Sequence, residues 1–388
     1  MHFCARDGAI TKYMICLLRK VGVYMKAHVL YGINDLRYED VDRPVLKRNE
    51  VLLKVESVGI CGSDIPRIYE TGAHRHPLIP GHEFAGTVCE VFENGDSSLI
   101  GRRVGVFPLI PCGECGPCKN KQYEMCRNYN YLGSRCNGGF AEFVAVPVSN
   151  LIKIPDNVSF EDAAMLEPTA VAAHAMRRLL GEEIKSVTEN VKNDGHYKNI
   201  VVLGLGTIGL LLTMHLLNEF GDNPAYNIIV IGNKEFQREK AMALGIEAKN
   251  YCDTKSENVV EWVLEKTDGI GAYAIFECVG RNETVSQAIE VAAPAGKVML
   301  LGNPASDMKL QKNVYWKILR NQLNVMGTWN SSFTGESKDD WHYVVDKLKE
   351  GAIAPSKLIS HRLKLADLNT GLHIMRDKTE DYVKIMVC

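Results

Sequence analysis

Residues 200–217 form an apolar run without a single Asp, Glu, Lys or Arg, and Gly204-Leu-Gly206-Thr207-Ile208-Gly209 lies inside it. No other stretch limits the fold as tightly. Ile200-Val-Val-Leu203 reads as a buried strand and 210–218 as an apolar helix. Between a strand and a helix, three glycines at this spacing form a nucleotide-binding turn; alone they would mean little. They permit the tight turn, close backbone approach to a pyrophosphate, and close helix–strand packing, with the phosphates at the positive helix N-terminus. The length would suit a membrane span, but the glycine spacing and His215 argue against one.

Strands are expected at 228–231, 273–278, 297–301 and 323–327, with helical stretches such as 236–244 and 283–292 between them. That rhythm predicts a doubly wound parallel sheet. At the end of its second strand a site for NAD usually carries Asp or Glu for the ribose hydroxyls. Here the chain reads Gly232-Asn233-Lys234, with Arg238 one turn later. Glycine makes room, and Asn233, Lys234 and Arg238 can hold a 2′-phosphate, so NADP(H) is expected. The alternative is that Lys234 and Arg238 are solvated helix residues and the cofactor is NAD(H).

From 25 to about 154 short alternating strands, punctuated by Gly, Pro and Asn, suggest a partly closed β-barrel. Cys61-Gly-Ser63-Asp64 follows one strand and Gly81-His82-Glu83 precedes another. Thiolate, imidazole and carboxylate suit Zn²⁺, and three protein ligands leave the open position a catalytic zinc needs. Taken alone, the pair Cys61 and His82 reads equally well as a buried thiol beside a core histidine. Cys112, Cys115, Cys118 and Cys126 crowd a Gly/Pro-rich loop. Disulfides at that spacing would be strained, whereas four thiolates can close a structural zinc site. A helical region follows to about 180, interrupted at Leu166-Glu167-Pro168; Glu167 needs a partner, as a helix cap, in an ion pair or on a metal. Residues 181–198 are polar without a period and read as a surface insertion. The tail offers a helix over 339–349, an extended 357–363, a helix near 365–375 and a strand over 383–387, expected to return to the first domain.

With 388 residues the chain exceeds one ordinary core, and two domains are expected. A net charge of −2 argues against nucleic acid or an anionic membrane surface as partner. Twelve cysteines, four in one cluster, fit a reduced, cytoplasmic protein better than a disulfide framework. In residues 1–24 the apolar patch at 13–18 precedes Arg19 and Lys20, the wrong order for a secretory signal. They read as a non-essential N-terminal extension or a mis-called start, with a targeting arm as the functional alternative.

Cys-Gly-Ser-Asp, Gly-His-Glu, the four-Cys lobe, Leu-Glu-Pro and Gly-Leu-Gly-Thr-Ile-Gly occur in the order found in zinc-dependent medium-chain dehydrogenases. Over 25–388 the chain resembles that family, its polyol branch above all. The resemblance implies a GroES-like catalytic domain (25–180 and 328–388), a Rossmann domain (181–327), and an active site between them. It implies Cys61, His82 and Glu167 as catalytic-zinc ligands, Glu83 as a ligand or exchanging partner, and the four-Cys lobe as the structural site. Ser63 resembles the hydroxyl that passes the substrate's proton outward, although Pro66 and Arg67 stand where many relatives continue the relay with His. The implied reaction moves a hydride between a secondary alcohol and a nicotinamide. The substrate would be a polyol or polyol phosphate of the galactitol 1-phosphate kind, or else a free polyol such as sorbitol, threonine, or another secondary alcohol. Relatives acting on galactitol phosphate are expected to use NAD, against the Gly232-Asn-Lys234 argument. A basic group, Arg67, His74, Arg75 and His76, would suit a phosphate if it faced the cleft; otherwise it is a solvated loop. Homodimers or homotetramers are implied. Outside catalysis, the competing expectation is a nucleotide-binding zinc protein without turnover.

Overall fold

The computed structural model describes residues 24–188, 198–304 and 306–388. The expected extension therefore lies, but for Tyr24, outside the described residues, as does 189–197 of the expected insertion.

The first half is built from β1 (Tyr24–Gly32), β2 (Asp35–Asp42), β3 (Glu50–Ile60), α1 (Asp64–Tyr69), β4 (Glu83–Val91), β5 (Arg103–Val106), β6 (Leu109–Ile110), the one-turn α2 (Gly116–Lys119), β7 (Asn130–Tyr131), β8 (Phe143–Pro147) and β9 (Leu151–Lys153). β1 and β2 form a hairpin, and β6 and β7 a two-residue ladder. β3 is the long central strand: β4 pairs along its length on one side, and β8 pairs with its first half. Its inward residues Val51, Leu53, Val58 and Ile60 are buried with Phe84, Val88, Phe140 and Val144, which closes the strands around one core. Then come α3 (Phe160–Ala164), N-capped by Ser159 on the Asp162 amide, and α4 (Leu166–Thr188). Pro168 lies in the first turn of α4, where its missing N–H costs nothing, so it starts a helix rather than ending one.

The second half alternates strictly: β10 (Lys198–Leu203), α5 (Thr207–Phe220), β11 (Tyr226–Gly232), α6 (Glu235–Leu244), β12 (Tyr251–Asp253), α7 (Val259–Lys266), β13 (Ala272–Glu277), α8 (Asn282–Glu290), β14 (Ala292–Leu300), α9 (Lys312–Arg320) and β15 (Asn324–Gly327). The strands make one parallel sheet in the order β12-β11-β10-β13-β14-β15. The order reverses direction at β10, so the crevice past its C-terminal end is the expected ligand position. Val201, Val202, Ile229, Val230, Ile275 and Phe276 are all fully buried, as strands covered on both faces must be. His215 is buried on α5, and burial pushes it down to about 4, so it is a neutral core histidine bonded to the Thr169 carbonyl.

One sequence expectation needs correction here. Residues 181–188 continue α4 past an irregular backbone at Leu180 (φ −120°, ψ 20°). Glu183 turns inward to Lys297 at 2.6 Å and to the Tyr273 hydroxyl, so this part is packed on the second sheet and is no surface insertion. β12 is a further strand that the sequence did not announce, its three residues being too few to register as a pattern.

The chain then forms α10 (Asp340–Lys349), β16 (Ile359–Leu363), α11 (Leu368–Asp377) and β17 (Lys384–Val387). β17 pairs antiparallel with β3, opposite β4, and β16 extends the same sheet. No helix among the described residues is long and apolar enough to cross a membrane.

Candidate active site and metal centres

Three neighbouring strands assemble the site by register alone. Gly59 on β3 faces Glu83 on β4, which brings Cys61, two residues past Gly59, beside His82, just before β4. Ile60 faces Ile385 on β17, which brings Lys384 to the same end. Gly59 leaves room for that pair: a Cβ there would lie 2.4 Å from a Glu83 carboxylate oxygen and 2.7 Å from Lys384 Cε, so both side chains would have to shift. Ligand atoms of Cys61, His82 and Glu83 lie within 4.8 Å of one another. Glu167, in the first turn of α4, is buried alongside but falls outside that group; its Oε1 accepts a hydrogen bond from Tyr131 at 3.1 Å. Of the four residues expected at this centre, Cys61, His82 and Glu83 thus form the compact group, and Glu167 stands beside it.

The electrostatics call for a cation. Asp64, Glu83 and Glu167 are buried acids, the Cys61 thiol joins them, and Lys384 and Arg67 are the opposing charges, on Glu83 and Asp64 respectively. Uncompensated charge in such a place is costly, and a divalent ion removes the excess. The titration directions agree. Burial alone would lower His82, yet the Cys61 and Asp64 charges hold it well above the ordinary value. Burial and then the Glu83 charge push Glu167 up, although His82 opposes them. Asp64 is the supporting partner: it accepts from the Cys61 amide at 3.0 Å and lies 3.6 Å from His82 Nδ1, a buried atom otherwise without a partner. Ser63, the residue before α1, donates to Cys61 Sγ at 3.4 Å.

The second centre lies on the loop around α2. Sγ separations are 3.4 Å for Cys115–Cys118 and 3.9 Å for both Cys112–Cys118 and Cys115–Cys126. A tetrahedral zinc with Zn–S of about 2.3 Å needs sulfur–sulfur edges of about 3.8 Å, whereas a disulfide needs about 2 Å. The thiols fit the ion and not the bond. Backbone N–H groups of Arg127 and Cys118 bring Cys115 down to about 6, while burial pushes Cys118 up to about 12. Four thiols in one place share too few comfortable protonation states, and a zinc ion binding all four as thiolates resolves this. All ten cysteines among the described residues are unpaired.

The cofactor cradle follows β10. Gly204 has φ +98°, and Gly209 packs so close to it that a Cβ would sit 1.9 Å from the Gly204 carbonyl oxygen. At Gly206, which precedes α5, a Cβ would meet no protein atom within 4 Å, so the space it leaves faces outward, where a pyrophosphate would lie. Ile208 and Thr207 occupy the first turn of α5; the Thr207 hydroxyl is spent on the Val383 carbonyl at 2.6 Å, which leaves its amide for a phosphate. Gly232 ends β11 and Asn233 is exposed beyond it. Lys234 lies 5.4 Å over the Phe236 ring, and Arg238 holds Glu235 at 3.3 Å on the surface, a pairing weak enough to be exchanged. The basic group at 67–76 is not brought together. Arg67 is spent on Asp64, His76 meets the Leu30 carbonyl, and Arg75 reaches towards Asn137.

Residues 47–156 match the alcohol dehydrogenase GroES-like domain family and 211–350 the zinc-binding dehydrogenase family. Galactitol 1-phosphate 5-dehydrogenase of Escherichia coli K12 is 32% identical over 329 residues, 84% of this chain and 88% of that protein. The chain belongs to the zinc-dependent medium-chain dehydrogenases, in their polyol dehydrogenase branch. Two solved structures align over 94% of this chain and 99% of theirs, each with TM-score 0.80 and 26% identity. They are a zinc-binding dehydrogenase from Sinorhizobium meliloti 1021 bound to NADP and an alcohol dehydrogenase from E. coli CFT073 complexed with NADH. The chain is thus a zinc-dependent alcohol or polyol dehydrogenase using a nicotinamide cofactor.

Three site residues escaped the sequence. Lys384 had a signal, a lone charge in an apolar strand that needed a buried partner. Asp64 stood within a quoted motif and was given no role. Tyr131 had no signal, since only the fold brings β7 against α4.

Proposed function

We propose that the protein oxidises a secondary alcohol of a polyol or polyol phosphate, galactitol 1-phosphate foremost, with NADP⁺ preferred over NAD⁺. In this reading residues 25–180 and 328–388 form the catalytic domain and 181–327 the cofactor domain. The observation that carries the cofactor choice is the end of β11, where Gly232 stands in place of an acid and Asn233, Lys234 and, one turn into α6, Arg238 follow it in the chain. The substrate class rests on the family branch, and because Arg67 is committed to Asp64, other groups would have to meet a substrate phosphate.

Cys61, His82 and Glu83 would hold a catalytic zinc, which supplies Lewis-acid polarisation of the substrate hydroxyl while the nicotinamide takes the hydride. The chain's own groups do the rest. Asp64 orients His82, Lys384 balances Glu83, and Ser63 stands at the edge of the thiolate, where a hydroxyl can carry the alcohol's proton outward. Cys112, Cys115, Cys118 and Cys126 would hold a structural zinc. Exposed Trp316, Leu319, Val325 and Trp329, near the open edge at β15, support a homodimer or homotetramer. The unpaired cysteines support a reduced, cytoplasmic setting.

Initial rates on galactitol 1-phosphate, galactitol, sorbitol and threonine, each with NAD⁺ and NADP⁺, test the substrate and cofactor together. Gly232→Asp should shift the kcat/KM ratio at least tenfold towards NAD⁺, as should the double change Lys234→Ala/Arg238→Ala through loss of about 1.5–3 kcal/mol of charge-assisted bonding. At Gly232 a Cβ lies 3.1 Å from Leu205 Cδ1 and 3.2 Å from Tyr251 Oη, so both side chains must yield slightly. An unchanged ratio in both variants places the ribose pocket elsewhere.

A further inference from the structure

We propose that Tyr131 is a positioning residue that holds Glu167 off the active-site metal, keeping the fourth coordination position free for substrate. The inference rests on the reading of Cys61, His82 and Glu83 as the metal's ligands. Glu167 is a buried carboxylate beside Glu83, and a cation bound by the trio would draw it in as a fourth ligand. Four protein ligands close a zinc site in the way the cysteine lobe is closed, and closed sites are structural. Something must oppose that attraction, and the hydroxyl that reaches Glu167 Oε1 at 3.1 Å comes from Tyr131.

Tyr131 is fixed well enough to do this. Its carbonyl accepts the Arg135 amide at 2.8 Å and the Cys136 amide at 3.1 Å, and it lies in the ladder opposite Leu109. Its ring stands edge-on to His82, with centroids 5.8 Å apart, and to Tyr129 at 6.2 Å. The phenol therefore approaches Glu167 from a rigid turn, against the same imidazole that belongs to the metal trio. Removing only the hydroxyl leaves the shape intact and frees the carboxylate.

The test is Tyr131→Phe, studied by release of active-site Zn²⁺ to a chelator and by the d–d absorption of the Co²⁺-substituted protein. Release should slow about tenfold, because a fourth ligand now holds the ion, and the cobalt spectrum of the free enzyme should change. The cobalt spectrum should also respond less to added polyol than in the parent. Glu167→Gln alone should leave release near the parent rate, and Tyr131→Phe/Glu167→Gln should return it there. Unchanged release and spectrum in Tyr131→Phe would overturn the inference, as would metal loss in Glu167→Gln, which would make Glu167 a ligand in the parent. If instead Cys61→Ser retained the labile ion, the underlying reading of the trio would fail together with this one.

Discussion

Replacing Cys61 by serine is expected to lower kcat/KM by about a thousandfold or more and to leave cofactor affinity within a few-fold of the parent. The thiolate is one of the ligands that strand register brings together, and a serine hydroxyl is a poor substitute for it at neutral pH. Loss of Lewis-acid polarisation removes several kcal/mol of transition-state stabilisation, at about 1.4 kcal/mol per tenfold in rate. The glycine turn that would carry the pyrophosphate, 204–209, belongs to the other sheet and is untouched. Steady-state kinetics with fluorescence titration of the reduced cofactor separates the two effects. Turnover like the parent's removes Cys61 from the catalytic centre.

Cys115→Ser should act on stability instead. The lobe from Cys112 to Cys126 contains little beyond one helical turn and a short 3₁₀ segment, so its shape depends on whatever holds the four sulfurs. Removing one thiolate should cost on the order of 3 kcal/mol of stability, which lowers Tm by roughly 6–12 °C in domains of this size. Zinc content should fall by one ion per chain. Unchanged Tm together with unchanged zinc would rule out a structural metal at the lobe.

The sequence was most legible where local pattern and chemistry coincide. Gly204 and Gly209 announced a turn that the packing requires, and the cysteine spacing announced a cluster that strand pairing does not need to assemble. It was least legible where partners are far apart in the chain. Lys384 meets Glu83 across 301 residues, and only the order β17-β3-β4 makes them neighbours. The basic group at 67–76 failed for the opposite reason. Nearness in sequence suggested one patch, but Arg67 sits on α1, where an acid three residues earlier captures it. Glu167 lay between. Its need for a partner could be read, but the phenol that meets it arrives from β7.

The most direct test of the central claim is the initial rate of NADP⁺ reduction with galactitol 1-phosphate, sorbitol and galactitol while the more labile zinc is withdrawn by chelation and then restored. The rate should fall in proportion to loss of that one ion while Tm hardly moves, and should recover when Zn²⁺ is returned. A full rate in protein whose Cys61 centre holds no metal would contradict the claim.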